Sequence, residues 1–362
     1  MSKPKLVLSP CGTSLLTNKA TDKDILTKYA NAQDIPRDDL TKLESLIKSV
    51  EKDLESASLE EAAKMSAELN GIIKLYGGQL NKPKDIHVLI STDTHLGKAT
   101  ADLVAKWLKD KGFNDIRQPL IKGLQTADLF DFQHALSEIV QWCSETIPFY
   151  QQAQYHIVFN LTGGFKSVQG FLQTLAMFYA DETIYIFEGS KDLLRIPRLP
   201  VEMKPENSIV ENLEVFRRLA NGLTVSNENL SQIPETLYTI FEKEVDLSPW
   251  GKLVWEQTKK QIYSQKLHPS PSKKFKYGTR FEPSVEGLSR DRLFWINKTI
   301  DDLAVFLEKG INPKSLNFKS LEGKPCPPST HQMYAWSDQD AKRLFGHYEG
   351  EYFVLDQLDR HL

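Results

Sequence analysis

Short apolar runs alternate with amphipathic stretches over the first half of the chain. Each apolar run ends in a polar segment, which is typical of buried strands in a parallel sheet. The stretches between them repeat apolar residues every three or four positions, as surface helices do. The pattern therefore predicts an α/β fold, a mostly parallel sheet with helices on both faces. The predicted strands cover residues 5–9, 85–92, 155–160 and 183–187, and the predicted helices cover residues 38–76, 99–112, 128–145 and 167–180.

The pattern changes after Pro200. Helical spacing covers residues 213–219, 234–244 and 250–263, and the Pro- and Ser-rich residues 268–274 have the composition of a linker. One amphipathic helix over 290–309 then precedes strands over 332–336, 343–348 and 352–355, with Glu349-Gly350 as a hairpin turn. We predict three parts: an α/β domain over residues 1–200, a helical connector over 201–273 and a small α+β domain over 274–362.

Composition fits a globular protein with buried cores, because 40% of the 362 residues are hydrophobic and 26% are charged. The 45 Lys and Arg nearly balance the 48 Asp and Glu. The net charge of -3 therefore indicates neither nucleic acid nor an anionic membrane as a partner. Positive charge is local. Residues 251–280 hold eight Lys or Arg against the single acid Glu256, a net +7.

The cysteines and the N-terminal sequence indicate a cytoplasmic protein without a membrane partner. Cys11, Cys143 and Cys326 are far apart and form no CxxC pair, which excludes a disulfide framework and a cysteine zinc site. The first apolar run is too short, and too interrupted by Pro10 and Gly12, for a signal peptide or a membrane span. We expect Cys11 to be a small buried residue rather than a nucleophile.

The segment from Asn160 to Lys166 is the strongest chemical signal. Gly163 and Gly164 allow close approach of the backbone to a ligand, the start of the next helix favours an anion, and Lys166 adds positive charge. This arrangement suits phosphate, although it is neither GxxxxGK[ST] nor GxGxxG. A plain strand-turn-helix connection with a solvated lysine is an equally good interpretation of this segment alone.

Two further strand ends offer polar groups to the same edge of the sheet. Ligands of such sheets bind outside the carboxyl ends of the strands, so we expect these loops to lie close together. Their hydroxyl and amide groups suit ribose, adenine or phosphate equally well, and His95 is interpreted as a surface residue. The candidate ligand-binding residues of the loops are Ser9, Gly12, Thr13, Ser14, Thr92, Asp93, Thr94, Asn160, Thr162, Gly163, Gly164 and Lys166.

The loop sequences SPCGTSLLT, STDT and NLTGGFKS resemble those of the CARF domain, the ligand-sensing module of type III CRISPR ancillary proteins. The resemblance covers about residues 1–200 and implies a Rossmann-like domain. It also implies a homodimer that binds a cyclic oligoadenylate across its two-fold axis. Some relatives cleave the ring slowly, which here would be attack by a ribose 2'-hydroxyl assisted by Lys166 and Ser14.

The terminal segment lacks the residue patterns of two common effector nucleases. No carboxylate pair with a lysine on adjacent strands is present for a PD-(D/E)xK centre, and the RLFGH segment lies in β-type rather than helical sequence, unlike a HEPN motif. Its layout of a helix, the loop KSLEGKP and three strands resembles RelE-type mRNA interferases. That resemblance implies metal-independent RNA cleavage on the ribosome, without a cofactor. The candidate catalytic residues are Arg343 for phosphate stabilisation, His331 and His347 as base or acid, and Tyr334 and Arg360 as further members.

The order of the parts resembles the CARF-RelE fusions known as CRISPR-Cas-associated mRNA interferases. We therefore expect a homodimer that cyclic tetra-adenylate activates to cleave mRNA in the ribosomal A site. The partners would be the cyclic oligoadenylate, the ribosome and mRNA, with no metal. Two alternatives remain open: a CARF ring nuclease that leaves mRNA intact, and a ligand-responsive transcription regulator that reads DNA through the helical middle.

Overall fold

The computed structural model describes residues 3–32, 34–125, 128–187, 192–200, 206–241, 244–322, 327–336 and 342–360. The chain divides into two compact units, residues 1–202 and 203–362. The predicted further division at residue 273 stays a prediction. None of the helices within these described ranges has the length and apolar character needed to cross a bilayer.

The first unit alternates strands and helices along the chain. Its elements are β1 (Lys5–Cys11), α1 (Ser14–Thr17), α2 (Asp24–Lys28), α3 (Arg37–Ser56), α4 (Leu59–Met65), α5 (Ala67–Leu75), β2 (Ile86–Ser91), α6 (His95–Asp110), β3 (Asp115–Arg117), α7 (Leu129–Gln152), β4 (His156–Asn160), α8 (Lys166–Tyr179), β5 (Glu182–Tyr185) and β6 (Leu194–Pro197).

The strands form one sheet in the order β3-β2-β1-β4-β5-β6, with all pairs parallel except β5–β6. Helices α3, α5 and α6 pack on one face through Val7, Leu89 and Val158, while Leu6 and Leu8 are buried on the other face. The prediction of an α/β fold with a mostly parallel sheet is confirmed. Strand order reverses between β1 and β4, so the sheet opens a crevice where these two strands end.

The helical stretch over residues 38–76, for which the spacing predicts one helix or two, consists of three helices. Ser58 caps α4 through a capping box with Glu61, and Ser66 caps α5 by accepting a hydrogen bond from the Leu69 N–H. Each serine has extended backbone dihedrals and caps the helix that follows it, so the preceding helix ends before the serine. These interruptions give α5 its own direction and its own N-terminus.

The second unit contains helices, a hairpin and a second sheet. Its elements are α9 (Glu206–Glu211), α10 (Leu213–Ala220), α11 (Asn227–Leu230), a 3-10 turn (Glu235–Leu237), β7 (Tyr238–Phe241), β8 (Glu244–Leu247), α12 (Pro249–Tyr263), β9 (Phe275–Tyr277), α13 (Phe281–Val285), α14 (Arg290–Lys309), β10 (Lys319–Ser320), β11 (His331–Tyr334), β12 (Lys342–Glu349) and β13 (Tyr352–Arg360).

The helix predicted over residues 234–244 is wrong. After one 3-10 turn the chain forms the antiparallel hairpin β7–β8, in which Tyr238 faces Leu247. The run Tyr-Thr-Ile-Phe is aromatic and β-branched, and its strand propensity outweighs the apparent helical spacing. The helix that follows begins at Pro249 with Ser248 as its cap, and its Trp255 is buried in the core of this region.

The linker predicted over residues 268–274 is also wrong. His268 and Ser272 are buried, and the carbonyl oxygens of Pro269 and Pro271 accept hydrogen bonds from Arg217 and Arg218. Composition resembles that of a linker because Pro and Ser dominate, yet the backbone oxygens of such a segment remain strong acceptors. Two arginines of α10 fix it in place.

The terminal strands form a sheet in the order β10-β11-β12-β13-β9. Helix α14 has the bounds predicted from its sequence, and β12 and β13 form the predicted hairpin around Gly350, whose φ is +61°. The core between helix and sheet contains Ile300, Leu344 and Phe353. This region has the predicted helix on a sheet, to which β10 and the parallel strand β9 add two strands that were not predicted.

A buried ion pair connects α10 to α14. Arg217 donates from Nε to Asp301 Oδ1 at 2.7 Å, and Tyr263 donates its hydroxyl to the other oxygen of Asp301. Burial disfavours the charge of Asp301 and raises the pKa of its carboxyl, although Arg217 opposes this shift. Arg218, the next residue of α10, forms a bidentate pair with Glu308, which lies about two turns after Asp301 on α14.

We expect Arg217→Ala to destabilise the second unit by about 3 to 5 kcal/mol, because it leaves the Asp301 carboxylate buried without its cation. Chemical denaturation of the full chain measures the change. Lys276→Ala is the matched control, since the Lys276–Glu349 pair is exposed and contributes about 0 to 1 kcal/mol. Equal effects of the two substitutions would contradict the expectation.

Candidate functional site

The carboxylate of Glu68 occupies the crevice where β1 and β4 end. Oε1 accepts hydrogen bonds from the Gly12 N–H at 2.8 Å and the Gly164 N–H at 3.0 Å. Oε2 accepts from the hydroxyls of Ser66 at 2.7 Å and Ser14 at 3.1 Å. Glu68 is fully buried, and a buried carboxylate needs this number of donors to offset its lost hydration.

These contacts bring together the loops after β1 and β4. Asn160, also fully buried, donates to Ser9 Oγ at 3.2 Å and to the Glu68 carbonyl at 3.0 Å. A Cβ added to Gly12 would lie 3.3 Å from Gly164 Cα, so the two loops touch. The predicted gathering of Ser9, Gly12, Ser14, Asn160 and Gly164 thus has a direct geometric basis.

Pattern analysis missed Glu68. A usable signal exists, because Glu68 stands four and seven positions before the buried Ile72 and Leu75 and therefore shares the apolar face of α5. A carboxylate on such a face needs buried donors.

Glycine is required at two positions of this crevice. Gly164 has a φ of +96°, and a Cβ there would lie 2.8 Å from Pro10 Cβ. A Cβ on Gly163 would lie 2.3 Å from Glu68 Oε1. The backbone approach expected for a ligand is therefore an approach to the protein's own carboxylate.

The loop after β2 lies beside β1, since Ser91 pairs with Cys11, and its polar groups have partners of their own. The Thr92 and Thr94 hydroxyls are 2.9 Å apart, and Thr94 caps α6 by accepting from the Gly97 N–H. Asp93 pairs with Lys98 at 2.6 Å and accepts from the Gly123 N–H. Burial opposes ionisation of Asp93, but these two partners prevail and lower its pKa.

The groups still open to a ligand stand at the rim of the crevice. Lys166 is exposed at the first position of α8, and Thr13 makes no side-chain cap for α1. The Thr162 hydroxyl is not one of these groups: its oxygen is buried without a hydrogen bond among the described residues and lies 2.7 Å from the position of a Cβ on Gly71 in α5. Cys11 is buried as predicted, and burial, with a smaller contribution from Glu68, raises the pKa of its thiol.

In the terminal sheet, a carboxylate orients His347. His347 Nδ1 lies 2.9 Å from Asp356 Oδ2, and the Ser329 hydroxyl donates to the same oxygen at 2.7 Å. The register of β12 and β13 shifts beside Asp356, which leaves this residue without an opposite partner. With Nδ1–H donated to Asp356, the Nε2 lone pair of the half-exposed imidazole faces outward as a proton acceptor.

His331 lies on the opposite face of the sheet. It pairs with Gly346, the neighbour of His347, and adjacent residues of a strand point to opposite faces. Thr330 and Ser320 hydroxyls contact its two ring nitrogens at 2.8 and 3.3 Å. Partial burial lowers the pKa of His331. The structure thus separates the two histidines that the sequence offered together as base and acid.

Arg343 and Tyr334 form a pair on the His347 face. The guanidinium carbon lies 4.2 Å from the centre of the Tyr334 ring, and Nη1 donates to the Lys342 carbonyl at 2.9 Å. Arg343 Nε is buried and has no hydrogen-bond partner within the described residues. Arg360 is exposed and pairs across the strands with Lys342 rather than with Arg343.

Residues 63–199 match the family model described as CRISPR-associated protein (Cas_APE2256). This match indicates a CRISPR-associated protein. The matched range contains Glu68, the loop after β2 and the segment from Asn160 to Lys166, so it covers most of the crevice. None of the curated proteins matches the chain. Across the described ranges, no group of three or more His, Cys, Asp or Glu side chains is arranged to hold a metal ion.

We expect Gly164→Ala to destabilise the first unit by about 1 to 3 kcal/mol, because the new Cβ meets Pro10 at a positive φ. Gly170→Ala is the matched control in α8. Its Cβ meets nothing within 4 Å, so it stabilises the helix by about 0.5 to 1 kcal/mol. Denaturant midpoints of the two variants should move in opposite directions, and movement in the same direction would refute this account of the loop.

Proposed function

We propose that the protein is a cyclic tetra-adenylate-activated, ribosome-dependent endoribonuclease that cleaves mRNA in the A site during type III CRISPR signalling. In this proposal the first unit senses the cyclic ligand and the second unit carries a RelE-like nuclease. Slow cleavage of the ligand by the sensor would limit the response. The observation that carries the proposal is the polar crevice between β1 and β4, of which Glu68 and β4 lie in the segment 63–199 that matches the CRISPR-associated family model.

Two features of the first unit support a nucleotide sensor. The crevice lies at the reversal of strand order, where open α/β sheets bind ligands. Lys166 stands exposed at its rim, and the Thr13 side chain lies in the neighbouring loop after β1 without capping α1. Two protomers related by a two-fold axis would present two such rims to a ring with four phosphates, a ligand that shares this symmetry.

Lys166→Ala should weaken binding of cyclic tetra-adenylate by about tenfold or more and reduce the salt dependence of the affinity, because one cation facing phosphate is lost. Calorimetric titration at two salt concentrations measures both effects. Lys98→Ala is the control, since Lys98 is already paired with Asp93. Unchanged affinity in Lys166→Ala would remove this lysine from the proposed site.

The His347 face supports metal-independent RNA cleavage. Attack of a ribose 2'-hydroxyl on the adjacent phosphorus forms a 2',3'-cyclic phosphate and breaks the bond to the 5'-oxygen. His347 Nε2 would take the hydroxyl proton, and Asp356 would stabilise the resulting imidazolium. Tyr334, under the guanidinium of Arg343, is a proton donor for the leaving 5'-oxygen. His331 fits the base role less well because both of its nitrogens contact hydroxyls.

Arg343 would bind phosphate. Its guanidinium is only partly buried, and desolvation, which lowers the pKa of this group, strengthens its attraction for an anion. Arg343 and His347 are four residues apart on one strand, about 13 Å between Cα atoms. The long side chains of Arg343 and Tyr334 would therefore have to converge with His347 on one reacting phosphate. Arg360 would add positive charge at the end of β13.

The decisive test is primer extension on ribosomes stalled at a defined codon, with and without cyclic tetra-adenylate. We expect ligand-dependent cleavage in the A site that falls about 100-fold or more in His347→Gln and in Arg343→Ala. His331→Gln, on the opposite face, should retain most of the activity. The reverse ranking of the two histidine variants would move the nuclease site to the His331 face.

Cleavage that ignores the ligand, or that proceeds equally on free RNA, would refute the ribosome-dependent mechanism. A protein that destroys the cyclic ligand and leaves mRNA intact would instead be a ring nuclease. A salt-dependent affinity for duplex DNA would favour a transcription regulator.

A further inference from the structure

Glu68 occupies the position that a bound phosphate would take in a glycine-rich loop. Phosphates in such loops accept hydrogen bonds from successive backbone N–H groups and nearby hydroxyls. Here the N–H groups of Gly12 and Gly164 and the hydroxyls of Ser14 and Ser66 all bind one carboxylate. Each oxygen of Glu68 therefore has two donors, and the four donors are already used by the protein itself.

We call these four donors, the N–H groups of Gly12 and Gly164 and the hydroxyls of Ser14 and Ser66, the cradle. It has room for one anion. Glu68 Oε1 lies 2.3 Å from the position of a Cβ on Gly163, so the carboxylate is already packed against the backbone of the loop. Asn160 holds the Glu68 main chain from the other side by donating to its carbonyl at 3.0 Å. A phosphate could enter only if the Glu68 side chain left, and that movement would break the four hydrogen bonds of its carboxylate.

We propose that Glu68 is a specificity-determining residue that excludes terminal phosphates from the crevice, so that the sensor prefers a ring of phosphodiesters to a linear oligonucleotide. The inference rests on the proposed function for the identity of the ligand, and on the geometry of the cradle alone for the exclusion of phosphate.

The difference in charge gives the selectivity its physical cause. A phosphodiester in a ring carries one negative charge, whereas a terminal monoester carries about -1.5 to -2 at neutral pH and adds further acceptor oxygens that need donors. Beside Glu68 the monoester meets a like charge and finds the cradle donors occupied. The ring can remain at the rim, where Lys166 supplies a cation.

The first experiment uses inorganic phosphate as the probe and needs no assumption about the nucleotide. In phosphorus NMR with the full chain, the phosphate signal should broaden with Glu68→Ala, to a limit set by the number of binding sites, because the substitution frees four donors. The signal should not broaden with the wild type. Glu60→Ala, which removes one exposed carboxylate from the neighbouring α4, is the control of equal charge. If the phosphate signal does not broaden with Glu68→Ala, or broadens equally with Glu60→Ala, Glu68 does not occupy a phosphate-binding position.

The second experiment compares cyclic tetra-adenylate with linear tetra-adenylate that carries a 5'-phosphate. The preference of the wild type for the ring should fall about tenfold or more in Glu68→Ala, and less in Glu68→Gln, which keeps the shape and removes the charge. An unchanged preference in both variants would overturn the selectivity proposed for Glu68.

The two experiments separate failure of the inference from failure of the proposed function. A wild type that binds neither nucleotide contradicts the proposed sensor. The phosphate experiment still decides whether the four donors bind an anion once the Glu68 carboxylate is removed. If Glu68→Ala unfolds, phosphate should restore its structure by filling the cradle. An unfolded variant that phosphate does not rescue, together with an unchanged preference in Glu68→Gln, would contradict the inference.

Discussion

The buried carboxylate of Glu68 is the interaction on which the first unit depends. A charge without exposure to water is stable only when hydrogen bonds replace its hydration, and here two backbone N–H groups and two hydroxyls do so. Because these donors come from the loop after β1, the turn after β4 and the start of α5, none of the three can move without leaving the charge unsatisfied. The floor of the crevice is therefore preformed, and adaptation to a ligand falls to the rim, where Thr13 and Lys166 lie.

The second unit uses a buried charge in the same way. Arg217 binds Asp301 and the carbonyl of Pro269, so a segment rich in Pro and Ser becomes part of the core instead of a flexible connection. Arg218 repeats the arrangement with Glu308 and Pro271. Within this unit, α10, the segment around residue 270 and α14 are consequently held as one body. A ligand-driven change that reached α10 would be passed to α14 through these contacts rather than absorbed between them.

Periodicity predicted the elements whose burial follows one face. Strands β1, β2, β4 and β5 of the first sheet and helix α14 were found from the sequence because their apolar spacing and their burial agree. The edge strands β3 and β6 were not predicted, because they are short and β6 is exposed along its length. Apolar periodicity did not predict the residues whose burial depends on polar partners distant in the sequence. Glu68 is polar on an apolar face, and its partners are 56 and 96 positions away in the sequence, so local spacing carries no sign of them. The segment 268–274 failed for the same reason, since the arginines that bind it lie more than 50 positions earlier. The candidate ligand-binding loops could be located from the sequence, but which of their groups are already occupied could not.

The register of the terminal sheet decides which residues can act together, and one irregularity sets it. In a regular antiparallel pair, alternation alone fixes the face of each side chain. The shift between Phe345 and Gly346 leaves Asp356 as an extra residue on β13, which allows Leu355 and Leu358 to be buried while Asp356 contacts His347. A one-residue irregularity of this kind has no signature in apolar spacing. It nevertheless distinguishes the two histidines, because His347 gains a carboxylate that fixes its tautomer and leaves Nε2 open, while His331 is engaged by hydroxyls on the other face. A base for a 2'-hydroxyl needs an open nitrogen and a partner for the charge it acquires, and His347 has both.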